Sequence, residues 1–249
     1  MRSFWPIYKR ELFAFFVTPL AWVLISVFLL VQGMHFFLLV DHFANMGAAA
    51  SDQTPIQAFF GNTILLYLVL FLLVPPMTMR LFAEERRSGT IETLMTAPVG
   101  SAAVVLAKYT AVLVTYLAMW APTVLYIVIL QRTGPVDWHA AAASYLGVVL
   151  VGAGYLALGL FMSAITKSQF LAFVGTALVL LTLFILGIGE CVTAEGTLLH
   201  DVCAHVSVWA QMNDYASGIV DSRHVVYEGS LVVLPLFLTV RAVDAWRWG

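Results

Sequence analysis

The sequence predicts an all-α integral membrane protein. It has six transmembrane helices, both termini on the cytoplasmic side, an interfacial helix at the N-terminus and one short cytoplasmic helix. Three observations carry this. Charged residues make up 10% of the chain and hydrophobic ones 61%; soluble proteins carry roughly 25% charge, so too few charges exist to cover a water-facing surface. Those charges fence off uncharged runs long enough to cross a hydrocarbon core, which needs about 20 apolar residues. Once the runs are counted as spans, Lys and Arg fall overwhelmingly on one side. The low charge also excludes intrinsic disorder, which needs the reverse balance. A net charge of −2 leaves no electrostatic footprint for nucleic acid.

Residues 3–16 come first. Phe4, Trp5, Tyr8, Leu12, Phe15 and Phe16 share one arc at a helical period, with Arg2, Lys9 and Arg10 on the adjacent arc. That is the pattern of a helix lying flat at a membrane surface. Thr18-Pro19 then reads as the N-cap and first residue of a new helix. The uncharged run Leu12 to Val40 is too long for a signal-peptide core and stays as the first span, about 19–40. Four further uncharged runs, Gln53–Met79, Tyr109–Gln131, His139–Thr166 and Ser168–Gly189, supply spans at about 57–80, 108–130, 141–165 and 168–189. Only twelve uncharged residues separate Glu228 from Arg241. A sixth span at about 224–246 therefore needs Arg241 to snorkel outward; a buried or interfacial hairpin is the alternative. With six spans and the N-terminus inside, ten of the twelve Lys and Arg residues are cytoplasmic, and only Arg132 and Arg223 are external.

The spans carry few polar groups: Gln32 and His35 in the first, Asn62 near the outer end of the second. Ion-coupled carriers usually need carboxylates or histidines at mid-membrane, and the sequence offers no such relay. His35 reads as a packed or interfacial histidine. Zinc-protease and serine-hydrolase motifs are missing, as is a phosphate-binding loop of the Gly-x-x-x-x-Gly-Lys-Ser/Thr type. The chain is therefore not read as an enzyme and binds no cofactor of its own; energy for uphill movement must come from another chain. The fourth span is rich in small residues, with Ala143/Gly147 and Gly159/Ser163 at the spacing that lets helix backbones approach closely. Intramolecular packing is the simpler reading and a homodimer contact the alternative. Pro75-Pro76 bends the second span.

One inner loop stands out. Glu84, Glu85, Arg86 and Arg87 form a mixed charge cluster at the membrane exit. Gly89 provides a turn, and Thr90 caps a helix of about 89–97 with Glu92 in its first turn. Ile91, Leu94 and Met95 make its apolar face, and Pro98 ends it. Two turns are too short to be stable alone. The helix must pack on the protein's own interfacial surface or in a groove on a cytoplasmic partner.

The run Met79-Arg-Leu-Phe-Ala-Glu-Glu-Arg-Arg-Ser-Gly-Thr-Ile-Glu-Thr-Leu-Met-Thr-Ala-Pro-Val99 resembles the signature of ABC type-2 transporter permeases, closest to the gliding-motility GldF-like branch. Tyr8–Leu20, Gly218–Tyr227 and a last span ending in Leu238-Thr-Val-Arg241 are similar to the same branch, so the resemblance covers the chain in order. It implies one permease domain over 1–249, paired with a second permease copy or a paralogue in the bacterial cytoplasmic (inner) membrane. A separate cytoplasmic ABC ATPase would bind ATP and Mg. The helix around Thr90–Thr96 would be the coupling helix, with Glu84, Glu85, Arg86 and Arg87 at its hinge. A periplasmic or membrane accessory protein fits the same picture, as does export or movement of periplasmic partners. A non-transporting scaffold or mechanotransmission unit is the alternative, and a stand-alone channel a third reading. In relatives the segment corresponding to 190–228 forms short re-entrant helices, serving here as an outer gate or a lid; Trp209, Met212 and Ala216 have helical spacing. Cys191 and Cys203 both fall on the outer side, where a disulfide is chemically permitted. His200, Cys203 and His205 match no recognised metal spacing.

Overall fold

The structure is a computed structural model that describes residues 4–46, 54–61, 63–89, 100–133, 136–193 and 196–248. The described residues form twelve α-helices and no strand. They are α1 (Phe4–Val17), α2 (Pro19–Met46), α3 (Pro55–Phe60), α4 (Ile64–Thr78), α5 (Ala83–Ser88), α6 (Ser101–Trp120), α7 (Val124–Thr133), α8 (Trp138–Ile165), α9 (Gln169–Val192), α10 (Leu198–Val206), α11 (Val208–Ala216) and α12 (Ser222–Trp248). Among the described residues, six helical segments are long and apolar enough to cross a membrane, from Pro19–Asn45 to Ser222–Trp246. The chain is an all-α integral membrane protein. The sixth segment is one continuous helix with Pro235 inside it.

The helices depart from the expected spans in three places. The second uncharged run is broken: Thr54 caps α3 with a capping box to Gln57, the chain turns at Gly61, and Thr63 caps α4 afresh through the Leu65 N–H. A Cβ at Gly61 would lie 3.0 Å from Asn213 Oδ1 and 3.2 Å from the Ala216 Cβ. The break thus lets α11 press against the turn. The third span begins at Ser101 rather than near 108, which places Lys108 inside the helix, and a 3₁₀ turn at Ala121–Thr123 with Pro122 separates α6 from α7. Finally, the Thr18 hydroxyl does not cap α2. It donates to the Phe15 carbonyl (2.9 Å) and accepts from Arg80 Nη2 (3.1 Å).

Helix α8 is the hub. Its small residues each admit a different neighbour: the Tyr215 ring of α11 lies against Gly147, Tyr116 of α6 against Gly152, Glu228 of α12 against Gly154 and Thr78 of α4 against Gly159. Close backbone approach at small residues is how membrane helices pack without a hydrophobic drive between them. Within the chain these positions are therefore occupied. Tyr109 and Tyr116 add hydrogen bonds from α6 to the Ala153 and Val148 carbonyls of α8, both at 3.0 Å.

Helices α10 and α11 pack at one end of the bundle. Met212, Tyr215 and Ala216 are buried, and Trp209 stacks on Tyr67 with centroids 5.6 Å apart. His35 packs flat against Phe59 at 4.8 Å. Cys203 is a free, half-buried thiol; the side chain of Cys191 lies outside the described ones.

Candidate functional site

At the other end of the bundle, α4 passes through the turn at residues 79–82 into α5. The turn is held by one hydroxyl. Ser163 of α8 accepts hydrogen bonds from the Phe82 and Ala83 N–H groups and donates to the Met79 carbonyl, all at 3.1 Å. Two otherwise orphaned N–H groups at the start of α5 are thereby satisfied by a neighbouring helix. Gly89 ends α5 in the left-handed region at φ 72°, the conformation a helix C-terminus hands to glycine.

The four charges read as a hinge split into two pairs. Glu84 and Arg87 are exposed. Glu85 and Arg86 are half-buried and hold α5 on opposite sides. Glu85 Oε1 lies 2.9 Å from both Arg10 Nη2 and Lys108 Nζ. Glu11 Oε1 lies 2.8 Å from the same Arg10 nitrogen and 3.1 Å from Lys108 Nζ. Two cations and two carboxylates from α1, α5 and α6 thus neutralise one another around a lysine only 1% exposed, which also sits 5.2 Å from the Phe82 ring centroid. Burial works against the ionised form of Glu11, but Lys108 and Arg10 outweigh it and hold its pKa below the usual value.

Arg86 reaches the other way. Its Nη1 donates to the Ala164 (3.0 Å) and Thr166 (3.3 Å) carbonyls at the end of α8, where free carbonyls and the helix dipole favour a cation. Its guanidinium lies 4.7 Å above the Trp246 ring of α12, a cation–π contact, and Phe82 meets the same ring edge-on at 5.8 Å. Six residues of helix therefore touch α1, α6, α8 and α12.

Thr90, Ile91, Glu92, Leu94, Met95 and Pro98 lie outside the described residues, as does the expected helix of about 89–97 apart from Gly89. Sequence reasoning missed Glu11, Lys108, Ser163 and Trp246. Glu11 sits on the face Ile7, Glu11, Phe15 that α1 turns to the bundle, which shares only Phe15 with the aromatic arc; Trp5 of that arc points outward. A charge four residues from apolar neighbours on both sides was the available signal. Among the described residues no three His, Cys, Asp or Glu side chains converge as a metal centre. The cluster holds no nucleophile beside a base, so what it can do is position a short helix rigidly where the chain leaves the bundle.

A model of the family described as ABC-2 family transporter protein matches residues 40–196, more than half of the chain, with Glu85, Arg86, Lys108 and Ser163 inside the match. No curated protein matches the chain.

Proposed function

This chain belongs to the ABC-2 family of transporter proteins, and on that premise we propose that α5 is the stem through which a separate cytoplasmic ATPase moves the membrane helices. The chain is a multi-pass transmembrane subunit; nucleotide chemistry belongs to the partner, which carries ATP and Mg. Residues 89–97 are the coupling helix, docking Ile91, Leu94 and Met95 in a groove of that partner. The charged end of the bundle is cytoplasmic, as the distribution of Lys and Arg requires, and α10–α11 face the outside of the bacterial inner membrane. A second copy or paralogue completes the membrane half. The loop signature supports placement in the GldF-like branch, with export or movement of periplasmic partners as the output.

One observation carries the reading: on the N-terminal side of 89–97 the chain joins the bundle through a helix tied by charge to α1 and α6 and by Arg86 to α8 and α12. Displacement at Gly89 is delivered to four helices at once. The test begins with gentle purification of the tagged chain from its native membrane and mass spectrometry of stoichiometric partners. An ATPase with a phosphate-binding loop, at one copy per permease, is expected. Its absence from a preparation that keeps other membrane complexes intact overturns the reading. In the reconstituted complex, Leu94→Asp is expected to leave the chain folded and membrane-inserted but to uncouple ATP hydrolysis from transport; an unchanged coupled rate removes the docking role.

A further inference from the structure

Glu228 has no place in the mechanism above, and it is the most anomalous residue in the bundle. It is 0% exposed, and neither carboxyl oxygen has a hydrogen-bond partner. It lies against Gly154, where a Cβ would stand 3.0 Å from Oε2. Glu228 is six residues beyond Ser222, roughly 9 Å along α12 from its outer end at 1.5 Å per residue, so the carboxyl group sits less than two turns inside the sixth span, against Gly154 of α8. An ionisable group in such a place is costly unless a partner neutralises it, and it marks a functional position by default.

One helical turn from it, at the α10–α11 end, lies open space. A crevice of about 780 Å³ there is lined by Asp201, Asp214, Asp221, His205, Arg223 and His224 among others. Three carboxylates against one arginine make it attractive to cations. His224, 9% exposed, lines the crevice; its Nδ1 is 3.8 Å from Asp214 Oδ2, beyond hydrogen-bond distance, and otherwise unpartnered. Glu228 follows His224 by four residues, one turn deeper on the same face. The titratable groups around Glu228 are Tyr227 from α12 and Asp221 just before it, Tyr155 from α8, Tyr215 and Asp214 from α11, and His205 from α10 against Tyr227. From α6, Tyr109 bonds the carbonyl next to Gly154.

We propose that Glu228 is the anion of a monovalent-cation site, proton included, filled from the crevice through Asp214 and His224. One carboxylate matches one positive charge. A divalent ion wants six or more oxygens for calcium or a near-ideal octahedron for magnesium, and no cluster of three or more suitable side chains exists among the described residues. Gly154 supplies the room the carboxyl group occupies.

The purified full chain in lipid nanodiscs tests this without any ATPase, so the outcome is independent of the coupling reading. Thermal unfolding is measured for the wild type and Glu228→Gln while pH, Na⁺, K⁺ and methylammonium are varied separately at fixed ionic strength. The quantity read is the difference between the two proteins, which removes every other titrating group. The cation that fills the site raises the wild-type Tm by about 3–6 °C per tenfold increase above its Kd and leaves the variant's unmoved; which arm responds identifies the cation. Asp214→Asn, which keeps Glu228, is expected to shift that dependence to higher cation concentration without abolishing it. A difference curve flat for all four cations overturns the site. A curve unaffected by Asp214→Asn overturns the part given to Asp214.

Discussion

Lys108 shows what one buried charge demands. An ammonium 1% exposed inside a span is tolerable only because Glu11 and Glu85 each place an oxygen within 3.1 Å of it and Arg10 balances the second negative charge. Such a cluster specifies geometry more than it adds stability, since desolvation offsets much of the attraction. Breaking it is another matter. Lys108→Met leaves two carboxylates with one cation and is expected to destabilise the chain by about 3–5 kcal/mol, read as a fall in Tm in lipid. Glu11 gives the pH dependence. Its folded pKa lies below the usual 4.5, so its contribution to docking α1 is fully present above that value and is lost as pH falls through the depressed folded value. Hydrogen-exchange protection factors across residues 4–17, which remove the intrinsic pH dependence of amide exchange, are expected to stay high at pH 6 and to fall only below pH 4.5; a loss of protection already complete at pH 6 would contradict the sign.

At the scale of elements, α5 depends on its two ends. Ser163 fixes the first, and Gly89 releases the second with φ 72° and none of the described residues within 4 Å of where a Cβ would stand. Gly89→Ala therefore meets none of the described residues, and its cost there is the left-handed backbone, about 1–2 kcal/mol. That strain falls on the exit from α5, so the variant is expected to lower coupled transport while the Tm of the bundle changes little. The ratio of ATP hydrolysed to substrate moved is the measurement. Elements were largely legible in the sequence because a charge in hydrocarbon is expensive, which made charged residues reliable fences. The rule failed where its premise failed: Lys108 was read as a fence, yet its counter-charges stand at Glu11 and Glu85, too distant in sequence for any local pattern to reveal. Glu228 was likewise taken only as a fence. The break at Gly61 was invisible because it answers to α11, more than 140 residues later. The two flanks of α5 were not legible either, since Arg86 is satisfied by carbonyls and an indole that carry no signature in the chain.

For the whole molecule, α8 makes each neighbouring helix's position depend on one small residue. Gly152→Ala drives a Cβ into the Tyr116 ring and is expected to cost about 1–3 kcal/mol as overpacking. Gly229→Ala, with none of the described residues within 4 Å, is expected to be neutral or stabilising by up to about 1 kcal/mol through helix propensity. Thermal unfolding of the pair in the same lipid checks both. The same geometry says how a load would travel. Held by salt bridges on one flank and by Arg86 on the other, α5 is a short beam resting on two bearings. A thrust along its axis loads both equally and shifts the bundle as a block. A thrust from the side unloads one bearing and turns the beam about the other, so the leverage falls on α1 and α6 or on α8 and α12 according to direction alone.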